Sequence, residues 1–164
     1  TEDVRILDTG LQHFAGIIHT ATGINVNTLP GAGAAGGLGG SLAAFFHASL
    51  RPGIELILDA LQSDQQLTDA DLVITGEGHS DQQTLMGKVP MGILKRAKAA
   101  GVPTILLSGG IEDREALNKA GFLAAFSTTP YPQSLEQAMQ PDTARQNIRE
   151  TIAQICQIYA SRNT

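Results

Sequence analysis

The 164-residue sequence has no tryptophan, two tyrosines, five phenylalanines and a single cysteine. One cysteine excludes an intrachain disulfide framework. Cys156 falls among Ile152, Ile155 and Ile158 at helical spacing and reads as a small hydrophobe, since a nucleophile would need a base beside it. Positive charge is also scarce. Eleven Lys and Arg against sixteen Asp and Glu leave a net charge of −5 with no basic stripe, which excludes the electrostatic footprint of a nucleic-acid binder. No apolar run approaches the ~18 residues that a membrane-spanning helix needs. No secretory leader is visible, so the cytoplasm is the expected compartment. His13, His19, His47 and His79 are scattered, without H-x-x-x-H or paired-Cys spacing, which argues against zinc.

Glycine, in contrast, is abundant, at 18 residues. Many glycines with few aromatics suit an α/β protein built around tight ligand loops. Val4, Leu7, Leu11, Phe14, Ala15 and Ile18 predict an amphipathic helix over residues 2–20, ending near Gly23. A short extended piece over 24–26 leads to Pro30 and a glycine-rich loop. Ser41 opens a helical run over 42–50, stopped by Pro52-Gly53. The apolar stretch 54–61 fits strand or helix equally, and the polar run 64–66 marks the candidate domain boundary. Beyond it, strands over 72–75, 103–107 and 123–127 alternate with helices over 90–100 and 113–119. Ser134 starts another helix, and Ile148, Ile152, Ile155 and Tyr159 stripe a closing one. That alternation predicts right-handed βαβ units and a parallel sheet with flanking helices. The expected domains are 1–66 and 67–164.

The densest chemistry follows the first of these strands. Leu72-Val73-Ile74 runs into Thr75-Gly76-Glu77-Gly78-His79-Ser80-Asp81, then Thr84 and Gly87-Lys88. Ligands of open α/β sheets gather outside the carboxyl ends of the strands, where glycine lets backbone approach closely. Phosphoryl transfer asks a protein mainly for positioning and charge neutralisation. Glu77 and Asp81 suit that task, as holders of Mg²⁺ or as acceptor of a hydroxyl proton, with Lys88 as a compact cation for phosphate or carboxylate. His79 is placed where it could touch a phosphate. Gly109, after the second strand, could admit a ligand or merely turn the chain. Gly31, Gly33 and Gly36 match G-x-G-x-x-G, but Pro30 spoils the strand that the dinucleotide version requires, and Gly87-Lys88-Val89 is no Walker loop. The glycine loop therefore reads two ways: N–H groups offered to an anion at a helix start, or close helix packing without ligand.

Thr75-Gly76-Glu77-Gly78, Asp81, Gln83-Thr84 and Gly87-Lys88-Val89-Pro90 resemble the most recognisable block of the two-domain bacterial glycerate kinases. Pro30-Gly31-Ala32-Gly33-Ala34-Ala35-Gly36-Gly37-Leu38-Gly39 resembles that family's second block, and Leu7-Asp8-Thr9-Gly10-Leu11-Gln12-His13-Phe14-Ala15 is a weaker third match. The chain departs at position 79, where the family usually has arginine. The resemblance covers the C-terminal part of the family's sequence. It implies that residues 1–66 end an inserted α/β domain and that 67–164 complete a flavodoxin-like domain. It further implies ATP- and Mg²⁺-dependent phosphorylation of D-glycerate, at the 2-hydroxyl.

On this resemblance Asp81, Lys88 and Glu77 are catalytic, with Glu77 and Asp81 on the metal. Gly31, Gly33, Gly36, Gly37, Thr75, Gly76, Gly78, His79, Thr84 and Gly109 would bind substrate or phosphate. Glycerate and nucleotide are the expected partners, with an N-terminal part of the same polypeptide, without which the chain should be inactive; assembly into a homo-oligomer stays open. The rival expectation is a non-catalytic α/β module for a phosphorylated metabolite, which would need neither Asp81 nor Lys88.

Overall fold

The computed structural model describes residues 1–161. It divides into two compact units, residues 1–53 and 54–164. In the first unit α1 (Glu2–Thr22) closes on Gly23, whose φ of 75° and N–H to the His19 carbonyl form a left-handed cap. Ala15 and Ile18 of α1 pack with Val26 and Ala44 into a small core. The piece expected to be extended, 24–26, is extended at Asn25 and turns at Val26 into a 3₁₀ helix, Val26–Thr28, where the Asn25 side chain accepts the Asn27 N–H. Helix α2 (Leu38–Phe46) starts three residues before the expected Ser41, directly on Gly37. Among the described residues this unit has helices and turns but no strand.

The second unit is a three-stranded parallel sheet in the order β1 (Val73–Ser80), β2 (Thr104–Ile111), β3 (Ala124–Ser127). Successive residues of a strand face opposite sides, and the core obeys this rule. Leu106 packs with Leu94 of α5 (Val89–Ala99), Leu117 of α6 (Arg114–Ala120) and Phe122 on one face. Ile105 and Leu107 pack with Ile155 of the closing helix α8 (Pro141–Ala160) on the other. The α/β class, with a parallel sheet flanked by helices, is thus as read from the sequence.

Two details differ. The stretch 54–61 resolves as helix α3 (Gly53–Ala60), followed by the short α4 (Ser63–Leu67). Arg96 of α5 bonds Asp59 and, at 2.7 Å, Asp64, while Lys95 bonds Glu55 at 2.9 Å. Those ion pairs, and Gly92, whose missing side chain makes room for Ile54, bring α3 and α4 into the second unit. The chain therefore passes from one compact unit to the other between Gly53 and Ile54, ten residues ahead of the polar run at 64–66. The strands also run further than expected: Thr75-Gly76-Glu77-Gly78 is not a turn but part of β1, paired with β2 as far as Ser80–Ile111.

Candidate functional site

The lengthened strands carry the chemistry to the sheet's carboxyl edge. Glu77, Ser108 and Ser127 lie in register across β1, β2 and β3. A carboxylate on a strand would lose water without replacement, but Glu77 Oε1 accepts from Ser80 Oγ at 3.0 Å and from Thr84 Oγ1 at 2.5 Å. Both hydroxyl residues are fully buried, so the Glu77 carboxylate is fixed from below.

Asp81 follows immediately. Its Oδ1 accepts the N–H of Gln83 at 2.8 Å and of Thr84 at 3.2 Å, and Lys88 Nζ lies 3.7 Å away. The Thr84 hydroxyl in turn accepts the Asp81 N–H at 3.1 Å. Desolvation opposes ionisation of Asp81, but the N–H groups of Gln83 and Thr84, then Lys88 and His79, outweigh it and hold the carboxyl below its ordinary value. Asp81 therefore caps its own turn and stays charged. Glu77 Oε2 and Asp81 Oδ2 have no protein donor among the described residues. His79 Nε2 meets Glu112 Oε1 at 3.1 Å, both side chains well exposed.

A cleft of about 1100 Å³ opens along this edge. Thr75, Gly76, Glu77, Gly78, His79 and Gly109 all border it, as do Thr128, Thr129, Gln133 and Asn147, which the sequence reading passed over. One signal was visible for the last. Asn147 occupies a core-facing position between Ala144 and Ile148 in the stripe of α8, where an apolar residue is the rule. Ser127 and Thr129 were less legible, since their hydroxyls donate to the Gly109 carbonyl only once β2 and β3 pair.

The glycines separate by what surrounds them. A side chain at Gly76 would meet the Leu107 carbonyl oxygen at 2.6 Å, and one at Gly109 the Gly78 carbonyl at 2.7 Å, so strand spacing alone requires both. Gly78 has open space where a side chain would stand.

In the first unit the loop before α2 shows the same division. Gly39 and Gly40 pack tightly, a side chain at Gly39 meeting the Gly31 carbonyl at 2.6 Å, whereas Gly33 and Gly36 face open space. Gly31, Gly36 and Gly37 have φ values of 84°, 67° and 91°, a conformation that side chains resist. Gly31, Gly33 and Gly37 border a hollow of about 240 Å³ with Leu11 and Phe14 of α1. Asp81, Thr84, Lys88 and the cleft-lining residues thus gather in the second unit, and the glycine loop belongs to the first.

Among the described residues no group of three or more His, Cys, Asp or Glu is arranged to enclose a metal ion. Two carboxylates with one free oxygen each nevertheless fit a hard cation that keeps most of its waters. No helix among the described residues is long and apolar enough to cross a membrane.

A family described as the glycerate kinase family matches residues 1–160. The glycerate kinase of Halalkalibacterium halodurans is 51% identical over 138 residues, covering 84% of this chain and 36% of its own length. The glycerate 2-kinase of Escherichia coli is 39% identical over 153 residues, covering 90% and 40%. A crystal structure assigned to glycerate kinase 2 of Salmonella typhimurium LT2 superposes on the whole chain and 42% of its own, with a TM-score of 0.71 at 39% identity. The chain thus spans about two fifths of the length of these relatives.

Proposed function

Since the chain belongs to the glycerate kinase family, we propose that it supplies the sheet-edge site of an enzyme transferring the γ-phosphoryl group of ATP to D-glycerate. On this reading the second compact unit completes a flavodoxin-like domain, the first ends an inserted α/β domain, and the remaining length seen in the relatives supplies the rest of the machinery. The observation that carries it is the grouping of Glu77, Asp81 and Lys88 at one strand end, with Asp81 held ionised.

In phosphoryl transfer the bond from the substrate oxygen to γ-phosphorus forms as the bond from γ-phosphorus to the β–γ bridging oxygen breaks. The hydroxyl proton must leave with a base. A carboxyl whose acidity is raised is a weak proton acceptor but a durable charge, which suits Asp81 to electrostatic work. Glu77 and Asp81 would hold Mg²⁺ through their free oxygens, and that ion would neutralise charge on the β- and γ-phosphates. Lys88 balances Asp81, and because the free oxygens of Glu77 and Asp81 would be taken by the ion, the hydroxyl proton passes to a group outside this pair. Gly78 leaves room for a phosphate at the strand, and within the first unit the open space at Gly33 and Gly36 suits an anion. The 2-hydroxyl is favoured as acceptor because a relative at 39% identity is named a glycerate 2-kinase.

The test uses the whole protein that carries this chain, with ADP release measured as a function of D-glycerate and the product identified by ³¹P NMR. Glycerate-dependent release of ADP with 2-phosphoglycerate as product is expected. Glycerate-independent behaviour would leave a binding module, and 3-phosphoglycerate would overturn the regiochemistry.

A further inference from the structure

One wall of the cleft that Glu77 borders is apolar: Leu135, Ala138 and Met139 of α7 (Leu135–Ala138) and its cap, with Ala144 and Ile148 of α8. Into this wall the protein sets two amides without partners. Asn147 is only 2% exposed, yet its Oδ1 accepts no hydrogen bond, and Gln133 Nε2 is shut off from solvent and donates none. Both residues border the same cleft. An unsatisfied buried polar atom costs about 1–3 kcal/mol, so two of them on one apolar wall is the arrangement of a site whose ligand brings the missing partners. The ligand must be flat enough to lie against Leu135, Met139 and Ile148, and must carry a donor and an acceptor on one edge. At its other end the cleft meets Gly78, Gly109 and Glu77, where the kinase reading places phosphate.

We infer that Asn147 and Gln133 read the purine base of the nucleotide. Asn147 Oδ1 accepts from the 6-amino group of adenine, and Gln133 Nε2 donates to the adjacent ring nitrogen. The apolar wall covers the ring, and the phosphates run toward β1. The assignment rests on the kinase reading for the class of ligand, but its test does not depend on turnover.

Equilibrium binding of ATP and of its analogue lacking the 6-amino group, purine riboside triphosphate, is measured on the whole protein and on Asn147→Leu and Gln133→Leu. The native protein should prefer ATP by about tenfold, the worth of one buried hydrogen bond. Asn147→Leu should weaken ATP about tenfold, leave the analogue unchanged and so abolish the preference. It should also raise the melting temperature of the nucleotide-free protein, because the orphaned oxygen is gone. Gln133→Leu should weaken both ligands equally while keeping the preference, and that equal loss is the test if the first variant misfolds.

A native-like ATP preference in Asn147→Leu, or native-like affinity for both ligands in Gln133→Leu, would overturn the inference even with glycerate kinase activity intact. A nucleotide-free Asn147→Leu that melts earlier, with both ligands weakened alike, would overturn it too by making Asn147 structural. Conversely, ATP discrimination that follows Asn147 in a protein that phosphorylates no glycerate would sink the proposed reaction and sustain this inference.

Discussion

Gly76 and Gly78 stand two residues apart on one strand and point to the same side, yet alanine should do opposite things at each. At Gly76 the new methyl would lie 2.6 Å from the Leu107 carbonyl oxygen, a backbone atom that cannot swing away. Overpacking of this kind costs ~1–3 kcal/mol. Restricting the unfolded chain returns ~0.4–1 kcal/mol. The net is a loss of about 1–2 kcal/mol. At Gly78 nothing lies within 4 Å and φ is not left-handed, so only the unfolded-state term remains, and the protein should gain ~0.4–1 kcal/mol. That methyl would, however, stand at the border of the cleft. ATP affinity should fall by about tenfold, equivalent to ~1.4 kcal/mol.

Urea melts and equilibrium ATP binding on the whole protein separate the two effects, since a shifted midpoint at constant slope reports stability alone. Gly76→Ala should unfold at lower urea with its folded form still binding, and Gly78→Ala should unfold at equal or higher urea with binding impaired. The reasoning fails if Gly76→Ala keeps the native midpoint, or if Gly78→Ala falls as far as Gly76→Ala.

Asp81→Asn keeps an oxygen for the Gln83 and Thr84 N–H groups, so the turn should survive while kcat falls ~10²–10³-fold; an unchanged kcat would reduce Asp81 to a cap. Because folding lowers the Asp81 pKa, its contribution to stability is present above the unfolded value of 3.8 and lost as pH falls through the folded value. Native and Asp81→Asn midpoints should therefore differ near neutrality and converge in acid, and a constant gap down to the acid transition would contradict this.

In the first unit, Gly33→Ala should be neutral for stability and Gly39→Ala damaging, since only the latter meets backbone, at 2.6 Å; equal melting of both would show the loop adjusts freely. Arg96→Met removes the ion pairs to Asp59 and Asp64, and should speed amide hydrogen exchange in α3 and α4 while leaving β2 unchanged. Uniform acceleration would mean that Arg96 supports the whole unit.

The parts of the fold that could be read from sequence are those governed by local rules. The Gly23 cap, Pro90 at the start of α5 and the β-branched run at 73–75 signal their elements without help from elsewhere. The strand ends were less legible, because Gly76 and Gly109 look like turn residues and become strand only when two backbones approach too closely for a side chain. Helix α3 was ambiguous for a related reason: its identity depends on Gly92 accommodating Ile54 and on charges forty residues away.

The carboxylates and lysine of the candidate site stood out because they are crowded into twelve residues of sequence, 77–88. Gln133 and Asn147 did not, since an amide is unremarkable until its surroundings are dry. His79 was marked out by position, but its partner Glu112 comes just after the neighbouring strand β2 and no spacing announces it.

The order β1-β2-β3 leaves β1 hydrogen-bonded along one side only among the described residues, and β1 is the strand that bears Glu77 and His79. Half of its peptide groups consequently rely on whatever lies beyond the sheet margin, whereas those of β2 are clasped from both sides. Such a strand opens more readily than β2, on a timescale set by local opening rather than by unfolding. Glu77 and His79 are thus mounted on a margin of the sheet rather than at its centre, and a strand pairing along that margin would stiffen the backbone that holds them.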